Sequence, residues 1–195
     1  AVFLPEELLA RPWETWGAPR IDDSKKLSET EREAALLYIE QMAVSYGLRY
    51  ATGLASVSEI DDHNILGATT LAMERALNGL ELRLRTEDLP LWSASTRANP
   101  APLVLIDGRP VRKLPFAHQA LVGGDGKSLS IALASILAKV ERDAWMKDAH
   151  LQHPQYGWDR NRGYGTTVHR RGIEQFGPCP LHRKLFLRKI LESSR

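Results

Sequence analysis

Residues 124–143, Gly-Asp-Gly-Lys-Ser-Leu-Ser-Ile-Ala-Leu-Ala-Ser-Ile-Leu-Ala-Lys-Val-Glu-Arg-Asp, constrain the fold more than any other stretch, because they open like a helix and then place an acid on its apolar face. Leu133, Ile136, Leu137, Val140 and Ala144 recur at helical spacing, and Asp143, three residues after Val140 and seven after Ile136, shares their inward stripe. An unpaired carboxylate in such a place is costly. A second acid, Asp107, ends the apolar run Leu103-Val104-Leu105-Ile106 and precedes Gly108, which puts it at the end of a buried strand. Two acids at core edges suggest a metal site. Each also has a plainer reading. Asp before Gly commonly initiates a turn, and Asp143 has Lys139, Arg142 and Lys147 within ion-pairing distance along the helix, which by spacing alone is the stronger reading.

The rest of the chain alternates strand and helix patterns. Ser28-Glu29-Thr30-Glu31 is a capping box that opens a helix through about Tyr46, with Ala35, Leu36, Tyr38, Ile39 and Met42 as its apolar positions. Residues 48–55 read as a strand and residues 58–77 as a second helix. A polar connection containing Trp and Pro follows at 78–102. Residues 103–107 and 111–114 read as two strands about the Gly108-Arg109-Pro110 turn, with a third short strand at 119–122. The helix that carries Asp143 ends near Lys147, residues 153–165 are loop-like, and short helices fall at about 166–176 and 180–192. Strands and helices interleaved in this way predict an α/β domain.

Bulk properties bound the function. At 195 residues the chain suits one domain, with a small C-terminal addition. The single Cys179 excludes an internal disulfide and a thiolate zinc cluster, so a reducing cytoplasm is the expected home. No apolar segment approaches the roughly 18 residues of a membrane span, and the opening Ala-Val-Phe-Leu-Pro-Glu-Glu does not read as a signal peptide. The net charge of +2 hides an asymmetry: residues 151–195 hold nine Lys/Arg against three Asp/Glu. A basic tail of this kind suits a polyanionic partner, with phosphates setting affinity and salt sensitivity, or is simply a solvated basic helix.

In their order and separations, several blocks resemble the type 2 ribonucleases H, the ribonuclease HII family, which cut RNA joined to DNA. They are Asp23-Ser24-Lys25-Lys26-Leu27-Ser28, Asn64-Ile65-Leu66-Gly67-Ala68-Thr69 leading into Ala72-Met73, Ile106-Asp107-Gly108, the 124–143 run, Gly163-Tyr164-Gly165-Thr166 with His169, and Gly177-Pro178 with His182-Arg183. The resemblance implies a ribonuclease H-like fold, a mixed five-stranded sheet flanked by helices with a helical C-terminal extension. Residues 1–150 would form the catalytic domain and 151–195 a basic substrate-binding extension packed on it. It implies an endoribonuclease acting on RNA-DNA hybrids and cutting 5′ to ribonucleotides embedded in duplex DNA, leaving 3′-hydroxyl and 5′-phosphate ends. A monomer with no membrane partner is expected. Family members begin with a strand carrying Asp-Glu-Ala-Gly-Arg-Gly and a Gly-Pro-Val turn, which the sequence given does not contain. That block would supply two of four active-site carboxylates. The expectation is a piece of a longer protein, since loss of a central strand would expose a sheet edge; the alternative is a catalytically incomplete hybrid-binding module.

Hydrolysis of a phosphodiester needs an activated water, a stabilised leaving oxygen and neutralised phosphoryl charge, which two oxygen-ligated divalent cations supply together. Carboxylate ligands select Mg²⁺ or Mn²⁺, and the resemblance assigns that duty to Asp107 and Asp143. Tyr164 would meet the ribose at the RNA-DNA junction, where an aromatic ring and the 2′-hydroxyl distinguish RNA from DNA; without the resemblance it reads as a packing residue in a loop. Lys25, Lys26, Lys127 and Ser128 are candidates for phosphate contact, with Ser128 or Ser130 as a helix cap instead. His153, His169 and His182 match no metal template, and His169 and His182 are expected to brace the Tyr164 loop and the last helix or to contact substrate backbone. Trp13, Trp16 and Trp92 read as packing or loop anchors.

Overall fold

The computed structural model describes residues 1–9, 17–86 and 103–193; Trp13, Trp16, Trp92 and most of the expected 78–102 connection lie outside them. Among the described residues the architecture is mixed α/β with helices dominant. Its elements are β1 (Val2–Phe3), α1 (Glu6–Leu9), α2 (Glu29–Tyr46), β2 (Arg49–Tyr50), α3 (Val57–Thr86), β3 (Val104–Asp107), β4 (His118–Leu121), α4 (Leu129–Gln152), α5 (Trp158–Asn161), α6 (Thr167–Phe176) and α7 (Lys184–Ser193). The residues form two compact units, Ala1–Leu54 with Thr69–Val140, and Ala55–Ala68 with Glu141–Arg195.

The first unit holds the strands. Instead of five strands in one sheet, the described residues contain two two-stranded sheets, β1 antiparallel to β2 and β3 parallel to β4. In the parallel pair Val104 lies opposite His118 and Asp107 opposite Leu121. The expected strand at 111–114 is a turn. Pro110 has no amide proton to give a ladder, the Val111 amide is taken by His118 Nε2 at 3.2 Å, and the Leu114 amide returns to the Val111 carbonyl at 3.0 Å. The expected strand at 48–55 shortens to Arg49–Tyr50, because the chain beyond it runs against α3. A Cβ on Gly53 would stand 2.1 Å from the Ala72 carbonyl oxygen, and Arg75 Nη1 donates to the Leu54 carbonyl at 2.6 Å.

The capping box opens α2 as the sequence predicts: Glu31 N–H donates to Ser28 Oγ at 3.2 Å and Ser28 N–H to the Glu31 carboxylate at 2.7 Å. The αL residue Gly47 closes the helix. Ala35, Tyr38, Ile39 and Met42 of α2 bury against Leu133, Ile136 and Leu137 of α4. Helix α3 starts earlier than expected and runs on to Thr86, because Ser56 and Glu59 form a second capping box, with N–H to side-chain distances of 2.8 and 3.2 Å. Inside it Asn64 turns to φ 57° and its side-chain oxygen caps a new helical start by accepting from the Leu66 and Gly67 amides.

The second unit is helical, with a core of Met146, Ala149, Tyr156, Trp158, Ile173 and Ile190. Helix α4 extends past Lys147 to Gln152, and its buried stripe continues through Asp143, Met146 and Ala149, while Ala144, expected inward, is exposed. The loop-like stretch at 153–165 contains a 3-10 turn at Pro154–Tyr156 and the short α5. No described helix is long and apolar enough to cross a membrane.

Candidate active site

Asp107 is the last residue of β3, exposed at the carboxyl end of a parallel strand pair, the end at which open α/β sheets present ligand-binding groups. The strand run buries Ile106 and turns Asp107 outward by the period-2 alternation. Gly108 then leaves at φ 88° while its N–H still donates to the Leu121 carbonyl at 3.0 Å. One carboxylate oxygen of Asp107 accepts the Gly124 N–H at 2.8 Å. A Cβ on Gly124 would lie 2.6 Å from Ile131 Cδ1, the movable end of that side chain, and 3.4 Å from the Asp107 carboxylate. The 3-10 turn at Gly124–Gly126 leads on to Lys127 and Ser128, so the structure brings both to the corner that holds Asp107. Lys127 Nζ donates to the Val122 carbonyl at 2.7 Å, and the Ser128 hydroxyl pairs with that of Ser130 at 3.0 Å.

The Lys25-Lys26 loop belongs to the same unit. Buried Ser24 shares a 2.7 Å hydrogen bond with Ser135 of α4, which fixes the loop beside that helix, and both lysines are exposed. Asp23 shapes the turn by accepting the Lys25 amide at 2.9 Å. Lys26 Nζ lies 3.2 Å from Asp22, whose carboxylate is held at about 2 by the Asp23 amide and by Arg20 and Lys26.

Asp143 and Tyr164 lie in the second unit. Asp143 is 7 % exposed on α4. Arg162 Nε stands 3.9 Å from its carboxylate, both side chains nearly buried. Arg162 adopts φ 49°, an uncommon backbone for a residue with a Cβ, and its carbonyl accepts from Arg142 Nη1 at 2.9 Å. Tyr164 exposes 64 % of its surface, yet its backbone is tightly held. Its N–H donates to the Asn161 carbonyl at 2.8 Å, and its carbonyl lies 2.8 Å from the Thr166 amide and 3.0 Å from His169 Nδ1. Asn161 ties the turn down by accepting the Gly163 amide and donating to the Tyr156 carbonyl. His169 and His182 brace this loop and the approach to α7 from a buried pair, 3.1 Å apart at Nε2, and burial pushes both below the usual histidine range.

As donors, Asp107 and Asp143 offer carboxylate oxygens, the chemistry that hard divalent cations take. Among the described residues no three His, Cys, Asp or Glu side chains gather into a metal-holding group. Each acid by itself therefore fits such an ion in kind.

A family model for ribonuclease HII matches residues 18–189. The chain is 39 % identical over 191 residues to a ribonuclease HII of Caldanaerobacter subterraneus subsp. tengcongensis, covering 98 % of this chain and 67 % of that one. It is 42 % identical over 176 residues to one of Thermosynechococcus vestitus, covering 90 % and 72 %, and 39 % identical over 196 residues to one of Geobacillus kaustophilus, covering 100 % and 64 %. The chain belongs to the ribonuclease HII family. It spans about two thirds of the length of these relatives.

Within this ribonuclease HII chain, sequence reasoning missed Arg162 as the partner of Asp143, because only the fold of the 158–166 loop brings them together. Ser24, read only as part of the Asp23–Ser28 block, and Trp158 were given no role, because their partners Ser135 and His169 lie far away along the chain. A signal did exist for the cap at Ser56, the Ser-x-x-Glu spacing before an apolar run.

Proposed function

We propose that this member of the ribonuclease HII family, a ribonuclease H endonuclease by class, hydrolyses the RNA strand of RNA-DNA hybrids and cuts 5′ to single ribonucleotides in duplex DNA, leaving 3′-hydroxyl and 5′-phosphate ends. The observation that carries this reading is the family match across residues 18–189, which takes in Asp107, Asp143 and Tyr164. Asp107 and Asp143 would hold Mg²⁺ or Mn²⁺, which when bound supplies an activated water and neutralises the phosphoryl oxygens. Asp107 suits the role because its carboxylate is exposed and aimed by one backbone amide. Asp143 suits it because burial fixes its position and Arg162 opposes its charge until another cation does so. Tyr164 offers the ribose an exposed ring on a backbone held by hydrogen bonds. Exposed Lys25, Lys26 and Lys127, with Ser128, contact phosphates.

The same reading extends to the ribonuclease H-like five-stranded sheet, to a catalytic region over residues 1–150 with a basic substrate-binding extension over 151–195, and to a monomeric cytoplasmic enzyme. The deciding experiment uses the protein in its natural length on a DNA duplex with one embedded ribonucleotide, with Mg²⁺ or Mn²⁺ against a chelator. Metal-dependent cutting on the 5′ side of the ribonucleotide is expected. Binding without any cutting would overturn the enzymatic reading.

A further inference from the structure

We propose that His169 is a positioning residue for Tyr164, its neutral Nδ1–H form being imposed by Trp158 and His182 so that it holds the Tyr164 carbonyl and sets the ring that senses ribose. The inference rests on the reading of Tyr164 given above. Its own basis is the chemistry of a buried chain of hydrogen bonds that catalysis does not use.

Trp158 Nε1–H can only donate, and it points at His169 Nε2 over 3.0 Å. That nitrogen therefore carries the lone pair, and the ring proton sits on Nδ1, 3.0 Å from the Tyr164 carbonyl oxygen. His182 Nε2 stands 3.1 Å from the same His169 nitrogen. Two lone pairs cannot bond, so His182 carries its proton on Nε2 and leaves Nδ1 as an acceptor. The Cys179 N–H fills that acceptor at 3.0 Å, with the Cys179 thiol 3.3 Å away and the Cys179 carbonyl, already taken by the His182 backbone N–H at 3.0 Å, 3.2 Å away. Under this assignment both rings are neutral, and the Trp158 and His182 N–H groups share the single lone pair of His169 Nε2. A proton added to His169 Nε2 would face two donors.

His169 and His182 are 2 % and 6 % exposed. Tyr156 packs edge-on to His182 at 4.6 Å and Phe186 lies 5.2 Å from His169, so both imidazoles are flanked by aromatic rings. Tyr164 is 64 % exposed, and its backbone is closely held. That backbone is fixed on one side by the Asn161 carbonyl and on the other by His169 and Thr166. Removal of the His169 bond leaves the Tyr164 carbonyl held by the Thr166 amide alone.

The test compares His169→Asn, which keeps an N–H near the Nδ1 position, with His169→Gln, which reaches the Nε2 position and gives up the bond to Tyr164. His169→Asn forfeits the acceptor that meets both Trp158 and His182, and His169→Gln only the bond to Tyr164, so the thermal midpoint should fall further in His169→Asn and lost stability cannot by itself produce the expected order of ratios. The readout is the ratio of dissociation constants for an all-deoxy duplex and for the same duplex with one ribonucleotide, measured with a chelator so that no strand is cut. The ratio should stay within about twofold of the unmutated chain in His169→Asn and drop about three- to tenfold in His169→Gln. Equal ratios in the two variants would overturn the positioning role. Tyr164→Ala separates the layers. If it leaves the ratio unchanged, the ribose-sensing reading falls and the proposal with it; if it collapses the ratio while the two His169 variants match each other, only the positioning role falls. Imidazole ¹⁵N shifts of the unmutated chain decide the case where the variants do not fold: protons on His169 Nδ1 and His182 Nε2 support the proposal, and the opposite forms overturn it.

Discussion

Asp107 and Asp143 carry the same side chain in opposite settings. Asp107 is exposed and accepts one amide, whereas Asp143 is buried beside a guanidinium. The difference follows from where each sits in its element's period, one at the outward end of a strand and one on the inward face of a helix. Asp107→Asn keeps an oxygen for the Gly124 amide and nearly the same volume, so the corner should stay folded while an anionic oxygen is lost. Cleavage should fall by more than about a hundredfold, beyond the cost of losing a mere supporting group at a metal site, with hybrid binding retained. Turnover measured under saturating substrate checks this, and a rate near that of the unmutated enzyme would remove Asp107 from the metal set. The 124–143 pattern also made the burial of Asp143 legible. Its Arg162 partner was not, because the residues that spacing offered all lie on the same helix.

At the scale of elements, capping and packing decide more than propensity. The box at Ser28 was legible because its chemistry is local, two reciprocal hydrogen bonds within four residues. The 111–114 segment misled because an apolar run describes burial and not hydrogen bonding, and Pro110 with His118 takes that backbone out of any ladder. Helix α6 depends on close approach: a Cβ on Gly172 would lie 2.4 Å from the Gln155 carbonyl oxygen and 3.2 Å from the Tyr156 ring. Gly172→Ala should therefore destabilise the chain by about 1–3 kcal/mol, outweighing the roughly 1 kcal/mol that alanine gains over glycine in a helix. Urea unfolding followed by Trp fluorescence measures it, and a midpoint equal to or above that of the unmutated chain would show that the Pro154–Tyr156 turn gives way freely.

For the whole molecule, the buried histidine pair makes stability depend on acidity. Burial lowers both His169 and His182 from the ordinary 6.5, so the unfolded chain takes up these protons first. Their contribution is complete above about 6.5 and is lost as the pH falls from there toward the folded values. His153, which packs near Tyr156 and Trp158, adds repulsion to His182 when charged. Thermal midpoints taken from pH 8 downward should hold level and then decline below about 6.5, and the decline should shrink in a His169→Asn, His182→Gln double variant. A flat profile in the unmutated chain would mean that the pair is not held neutral.

By itself the sequence determined the helix starts that rest on local caps, the inward stripe of α4 with its acid, the strand that ends in Asp107, and the family. All of these are encoded within a few residues or in motif order. Tertiary structure alone decided the parallel pairing of β3 with β4, the shortening of β2 against α3, the Arg162 contact with Asp143, and the protons on His169 and His182. Each of those depends on atoms far apart along the chain, whose meeting is fixed by packing and by the need of every buried donor for an acceptor.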